Sequence, residues 1–244
     1  MTRQRLDELL VERGLYTSRS RARDAIARGT VTVDGVVAGK PAQNTSLEAR
    51  IEILDEARRY VSRSALKLKS GINVFNISVK GLNCLDIGAS TGGFAQVLLE
   101  QGATHVTAID VGHGQFDASL QSNPRVTSIE GLNARDLTAA HFKHKIEIIV
   151  CDVSFISLKL ALPAALTLAE PDAHLIALIK PQFEAGRDAV GRGGIVSDPH
   201  EHERVCQEIS DFLATENWQI IGITPSSIEG GDGNKEFLIA ARKN

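Results

Sequence analysis

Residues Leu85–Phe94 read LDIGASTGGF: an apolar run carrying one aspartate, a glycine turn, then the start of a helical pattern. Glycines between a strand and a helix let backbone N–H groups approach a ligand closely. The turn runs Gly88-Ala89-Ser90-Thr91-Gly92-Gly93 and is not G-x-G-x-x-G. It also lacks the G-K-[ST] ending of a P-loop, which argues against nucleotide hydrolysis. A second strand, THVTAIDVG, ends in Asp110, spaced to take two ribose hydroxyls. A dinucleotide and a sulfonium nucleoside both satisfy that pair of features. Asp86 favours the second, because a carboxylate beside the turn repels a pyrophosphate and attracts the cationic amino-acid end of S-adenosylmethionine.

Working outward, apolar runs alternate with helical patterns. Strands are expected at 82–87, 104–110, 125–130, 146–152, 174–180, 218–224 and 236–241. Helices are expected near 93–101, 116–122, 135–142, 157–169 and 201–216, with a further one in SALKLKSGINVFN. Such alternation predicts an α/β fold with a parallel sheet covered on both faces, binding ligands beyond the carboxyl ends of its strands. Four polar residues fall at or near that edge: Lys67 before the first strand, Asp152 ending the fourth, Lys180 ending the fifth and Glu236 opening the last. A lysine closing an apolar strand needs a carboxylate partner. A simple Asp152–Lys180 ion pair is the plainer alternative. Residues 181–200, rich in Gly, Asp and Arg, read as a loop over the active edge, with Arg187 and Arg192 available to phosphates.

Residues 4–50 form a different pattern. Leu6, Leu9 and Leu10 suit a short helix, Thr17 or Ser18 caps a second one, and TVTVDGVV reads as a hairpin turning at Asp34-Gly35. Charge is uneven. Residues 1–70 hold 14 Lys/Arg and 9 Asp/Glu, net +5, whereas 71–244 hold 13 and 21, net −8, within an overall charge of −3. The asymmetry points to an anionic partner for the N-terminal part.

RLDELLVERGLYTSRSRARDAIARGTVTVDG resembles the S4 RNA-binding domain, in which arginines on one face grip RNA phosphates. Arg5, Arg19, Arg21, Arg23, Arg28, Arg59 and Arg63 are the expected RNA contacts. D-x-G-x-x-x-G-G resembles motif I of class I methyltransferases, and EGLNARDL the third motif, with Leu132, Asn133 or Asp136 near the adenine. The cofactor set implied is Asp86, Gly88, Ser90, Thr91, Gly92, Gly93, Phe94, Asp110, Leu132 and Asn133. Lys67, Asp152, Lys180 and Glu236 resemble, in order, the catalytic tetrad of FtsJ-like ribose 2′-O-methyltransferases. With VSRSALKL, CDVSFISL, LIKPQFE and EGGDGNKEFL, nearly the whole chain resembles the TlyA family, whose members carry both haemolysin and ribosomal RNA cytidine 2′-O-methyltransferase names. Departures are mild: Tyr60 where Trp is frequent, and Ser64-Ala65 where glycines are usual.

The resemblance implies a class I methyltransferase (Rossmann-like) seven-stranded sheet behind a small α+β S4 domain. The expected divisions are residues 1–57, a linker at 58–63, and 64–244. It also implies S-adenosyl-L-methionine as methyl donor, ribosomal RNA or ribosomal subunits as partner, and Lys180 as base, helped by a neighbouring ammonium (Lys67) and partial burial. No metal is expected: Cys84, Cys151 and Cys206 have no ligand spacing, and the first two read as buried hydrophobes of a cytoplasmic protein. Three rival readings are a membrane-active haemolysin, an RNA-binding protein with an inactive methyltransferase fold, and a nicotinamide oxidoreductase. The first lacks a membrane-length apolar segment, the second is opposed by an intact tetrad, and the third by Asp86.

Overall fold

A computed structural model describes residues 2–231 and 233–244, and the chain divides into two units, Met1–Arg59 and Tyr60–Asn244. In the first, β1 (Arg3–Arg5) runs directly into α1 (Leu6–Glu12), followed by α2 (Arg19–Ala27). Ser18 caps α2, its hydroxyl accepting from the Arg21 N–H. Asp34 and Gly35 both take positive φ, as a two-residue hairpin requires, and join β2 (Val31–Val33) to β3 (Val36–Val37). β4 (Asn44–Ser46) pairs with β1, and β5 (Ile51–Ile53) with β2. The β1–β4 pair was not expected, since strands of three residues carry almost no periodicity. Leu6, Leu10, Ala22, Ala25, Ile26 and Val31 make the core.

The second unit opens with α3 (Ala65–Phe75). It continues through β6 (Asn83–Ile87), α4 (Gly93–Glu100), β7 (His105–Asp110), α5 (Ala118–Gln121), β8 (Val126–Glu130) and β9 (Ile146–Cys151). Next come α6 (Leu158–Ala161), α7 (Pro163–Leu168), β10 (Ala169–Ile179), α8 (Pro181–Glu184), α9 (Pro199–Thr215), β11 (Trp218–Pro225) and β12 (Phe237–Lys243). The seven strands lie in the order β11-β12-β10-β9-β6-β7-β8. β12 is antiparallel to both neighbours, so the sheet is mixed rather than wholly parallel. Chain order reverses between β6 and β9, which makes that gap the switch point. Helices α3 and α4 cover one face, and α6, α7 and α9 the other.

Several boundaries differ from expectation. Residues 135–142 form two 3-10 turns, Ala134–Asp136 and Ala139–His141, rather than one helix. The helix expected over 157–169 breaks at Pro163, and β10 begins at Ala169 with a register shift before His174. Asp152 lies one residue beyond β9 instead of ending it. The expected 181–200 loop contains α8, two 3-10 turns and the start of α9, and Val196 within it is buried. The expected 58–63 linker is divided, with Tyr60 onward in the second unit. There the Tyr60 hydroxyl donates to Glu100, and the Val61 N–H donates to Gln96 on α4.

Candidate active site

At the switch point the exit of β6 presses against the exit of β9. The Asp152 N–H donates to the Ile87 carbonyl at 2.9 Å. Gly88, at φ 79°, leaves no room for a side chain, because a Cβ there would lie 2.6 Å from the Asp152 carbonyl oxygen. Gly92 caps α4 at φ 95°, with Phe116 and Leu120 filling the space a Cβ would need. Gly93 likewise admits Ser62 and Ser64 against the helix. Beside these glycines opens a cleft lined by Ser62, Ser64, Ala89, Ser90, Phe94, Asp152, Ser154 and Lys180. Ser62 and Ser154 carry no signal in the sequence, and Ser64 stands out there only as a departure from the family's glycines.

The four expected catalytic residues reach one edge of the sheet. β10 and β12 pair with Ile179 opposite Phe237, so the residues just beyond, Lys180 and Glu236, are neighbours. Lys180 Nζ lies 2.6 Å from Asp152 Oδ1 and donates to Ser154 Oγ at 2.9 Å. Lys67, from α3, forms a buried ion pair with Glu236. Lys67, Lys180 and Glu236 are all buried, and each charge has an opposite partner, as burial demands.

Asp86 departs from its expected role. It is wholly buried and absent from the cleft wall, and neither carboxylate oxygen has a well-formed hydrogen bond. Burial, with the Asp152 charge adding to it, pushes its pKa up to about 8; the nearby Ala95 amide offsets only part of this. Burial thus favours its neutral form, and its side chain does not reach the cleft wall. Asp110 is also engaged: its two oxygens accept the Ser90 and Gly112 N–H groups, both at 2.7 Å, which ties the glycine turn to β7. Asn133 caps the turn that follows it, and Leu132 packs on the core. Thr91 accepts from the Asp117 N–H through its carbonyl.

Phe155 was missed altogether. The residue is 92% exposed, its backbone is held at φ 66°, and the Phe183 ring stands 5.1 Å from its own between centroids. Phe155 directly follows Ser154, which lines the cleft.

Among the expected RNA contacts, Arg28 is redirected. Its guanidinium forks onto Asp55 at 2.8 and 3.0 Å and also reaches Asp24, so it serves the fold of the first unit. The buried Asp7 holds Arg5 and Arg19, and Arg21 donates to the Ala57 carbonyl. Arg23 and Arg59 are exposed and Arg63 is half-buried.

Residues 60–243 match the FtsJ-like methyltransferase family, and residues 4–51 match the S4 domain. The chain is 43% identical to the 16S/23S rRNA (cytidine-2′-O)-methyltransferase TlyA of Mycobacterium tuberculosis, covering 98% of this chain and 90% of that one. It is 40% identical to Hemolysin A of Brachyspira hyodysenteriae, with 96% and 98% coverage. A solved Streptococcus thermophilus structure bearing a provisional haemolysin name superposes with a TM-score of 0.78 at 38% identity, covering all of this chain and 90% of the other. Magnesium protoporphyrin IX methyltransferase from Synechocystis, with a TM-score of 0.53 at 14% identity over 75% of this chain and 83% of its own, shares the fold alone. With an S4 domain, an FtsJ-like domain and relatives matched almost end to end, the chain belongs to the TlyA family of FtsJ-like methyltransferases.

Proposed function

We propose that this chain transfers a methyl group from S-adenosylmethionine to the 2′-hydroxyl of a cytidine in ribosomal RNA. The observation that carries this reading is the meeting of Lys180–Asp152 and Lys67–Glu236 at the carboxyl edge of the sheet, next to the glycine-lined cleft. The cleft fits the methyl donor: Gly88, Gly92 and Gly93 leave a cradle that side chains would fill, and polar serines line its wall. Gly88, Ser90 and Phe94 would hold the donor, with Asp110 steadying the turn beneath it. When bound, the donor supplies an electrophilic methyl on a sulfonium.

A ribose hydroxyl is a poor nucleophile until its proton is taken or strongly polarised. Lys180 Nζ pairs with Asp152, donates to Ser154 and belongs to a residue that lines the cleft. As the amine, Lys180 takes the 2′-hydroxyl proton at Nζ. Asp152 aims that nitrogen, and Glu236 holds the Lys67 ammonium at the same edge. Orientation of this kind is worth roughly 7–11 kcal/mol of barrier in well-held intramolecular pairs.

The S4 domain supplies a grip on RNA through phosphate contacts. No helix among the described residues is long and apolar enough to cross a membrane. Mass-spectrometric mapping of 2′-O-methyl groups on ribosomal RNA from cells with and without the gene tests the reading. A methylated cytidine that disappears with the gene supports it; identical maps overturn it.

A further inference from the structure

The glycine-rich stretch after α8 carries Arg187 and Arg192 on its exposed surface. Such a segment would be expected to move independently of the sheet. Its root does not. The Val196 side chain is 2% exposed, its N–H donates to Asn234 Oδ1 at 3.1 Å, and its carbonyl accepts from His202 Nε2 at 2.7 Å. Two buried side chains thus satisfy both backbone groups of one residue. Asn234, 1% exposed, also donates through Nδ2 to the Gly194 carbonyl at 3.0 Å.

The same asparagine organises the other side. Its backbone carbonyl accepts from the Gly230 N–H at 2.9 Å, closing a short loop just ahead of Glu236. Gly230 sits so near Glu236 that a Cβ there would fall 2.6 Å from Oε1. The Ser226 N–H donates to the Glu236 carbonyl, and the Ser227 hydroxyl donates to the Leu66 carbonyl, one residue before Lys67. Gly230 therefore lies against the Glu236 carboxylate, and Ser227 touches the helix that brings Lys67.

We propose that Asn234 is a positioning residue that makes the 186–196 arm and the Glu236 loop one mechanical unit, so that RNA held by Arg187 and Arg192 keeps the Lys67–Glu236 pair in working geometry. The inference rests on the methyltransferase reading for its consequence, though not for the coupling itself. An amide suits the position because it must accept from one arm residue and donate to another. Asp keeps the first bond and loses the second; Ala loses both and leaves the buried Val196 N–H unpaired.

The test is hydrogen–deuterium exchange of the full chain, followed by steady-state kinetics with ribosomal RNA. In Asn234→Ala, peptides covering 190–197 and 228–237 should exchange faster together. The kcat should fall by about tenfold or more, with S-adenosylmethionine affinity unchanged. Asn234→Asp should give a smaller effect of the same pattern, and its retained donor affinity shows that it is folded. Faster exchange in the arm alone, or an unchanged kcat with both segments loosened, overturns the proposal. The exchange measurement needs neither RNA nor turnover, so it separates failure of the coupling from failure of the functional reading.

Discussion

Gly88 and Asp152 meet so closely at the switch point that the glycine hydrogen faces a carbonyl oxygen where a Cβ would stand only 2.6 Å away. The exit of the first strand of the sheet and the backbone bearing the Lys180 partner are therefore a single packed feature. Gly88→Ala adds a left-handed penalty of about 1–2 kcal/mol to that clash. It should lower both the melting temperature and S-adenosylmethionine affinity, measured by thermal unfolding and calorimetry. An unchanged donor affinity would show that this contact does not shape the cradle.

Lys180→Ala should abolish methyl transfer, by about a thousandfold or more, while donor affinity changes little. Lys67→Met leaves Glu236 buried without its cation, so it should cost about 3 kcal/mol of stability as well as activity. Single-turnover assays beside denaturant unfolding distinguish the two.

Asp86 makes stability depend on pH. Its folded pKa, about 8, lies above the ordinary carboxyl value of 3.8. The native state therefore holds a proton that the unfolded chain has released. The resulting stabilisation is complete below about pH 4 and is lost as pH rises through the folded value. Asp86→Asn should remove this decline, which amounts to a few kcal/mol, and should retain donor binding at neutral pH. Urea unfolding of both proteins from pH 5 to 8.5 measures the difference; parallel profiles would show Asp86 to be ionised throughout.

Phe155, next in sequence to the cleft-lining Ser154, offers a bare aromatic side chain on a backbone conformation that L-residues adopt rarely. Stacking a base on such a face is worth about 1–3 kcal/mol. Phe155→Ala should raise the KM for RNA roughly tenfold or more with donor affinity intact, whereas Phe155→Tyr should be close to wild type.

Arg23 and Arg28 lie on and just after one helix but should behave oppositely. Burial alone would raise the Asp55 carboxyl, yet hydrogen bonds from Arg28 and Tyr16 hold it below the usual range. Arg28→Ala should therefore destabilise the first unit by about 2 kcal/mol. Arg23→Glu should leave stability unchanged and weaken RNA binding, with a shallower salt dependence. Filter binding at several salt concentrations and thermal melts separate the two effects.

Local features were legible from residue order because they depend on neighbours. The glycine turn needs positive φ at Gly88 and Gly92, the hairpin needs it at Asp34-Gly35, and buried strands need continuous apolar runs such as IEIIVC. The grouping of Lys67 with Glu236 was expected from family resemblance, not from spacing, since the two are 169 residues apart. Tertiary structure alone decided which charges meet, and how dry each one is. Asp86 looks like any strand carboxylate until packing removes all its water, and Arg28 like any helix-end cation until Asp55 arrives from 27 residues away. Asn234 gave no sign of its three-way role. A side chain's charge state and partners follow from register and desolvation, which a linear order of residues does not contain.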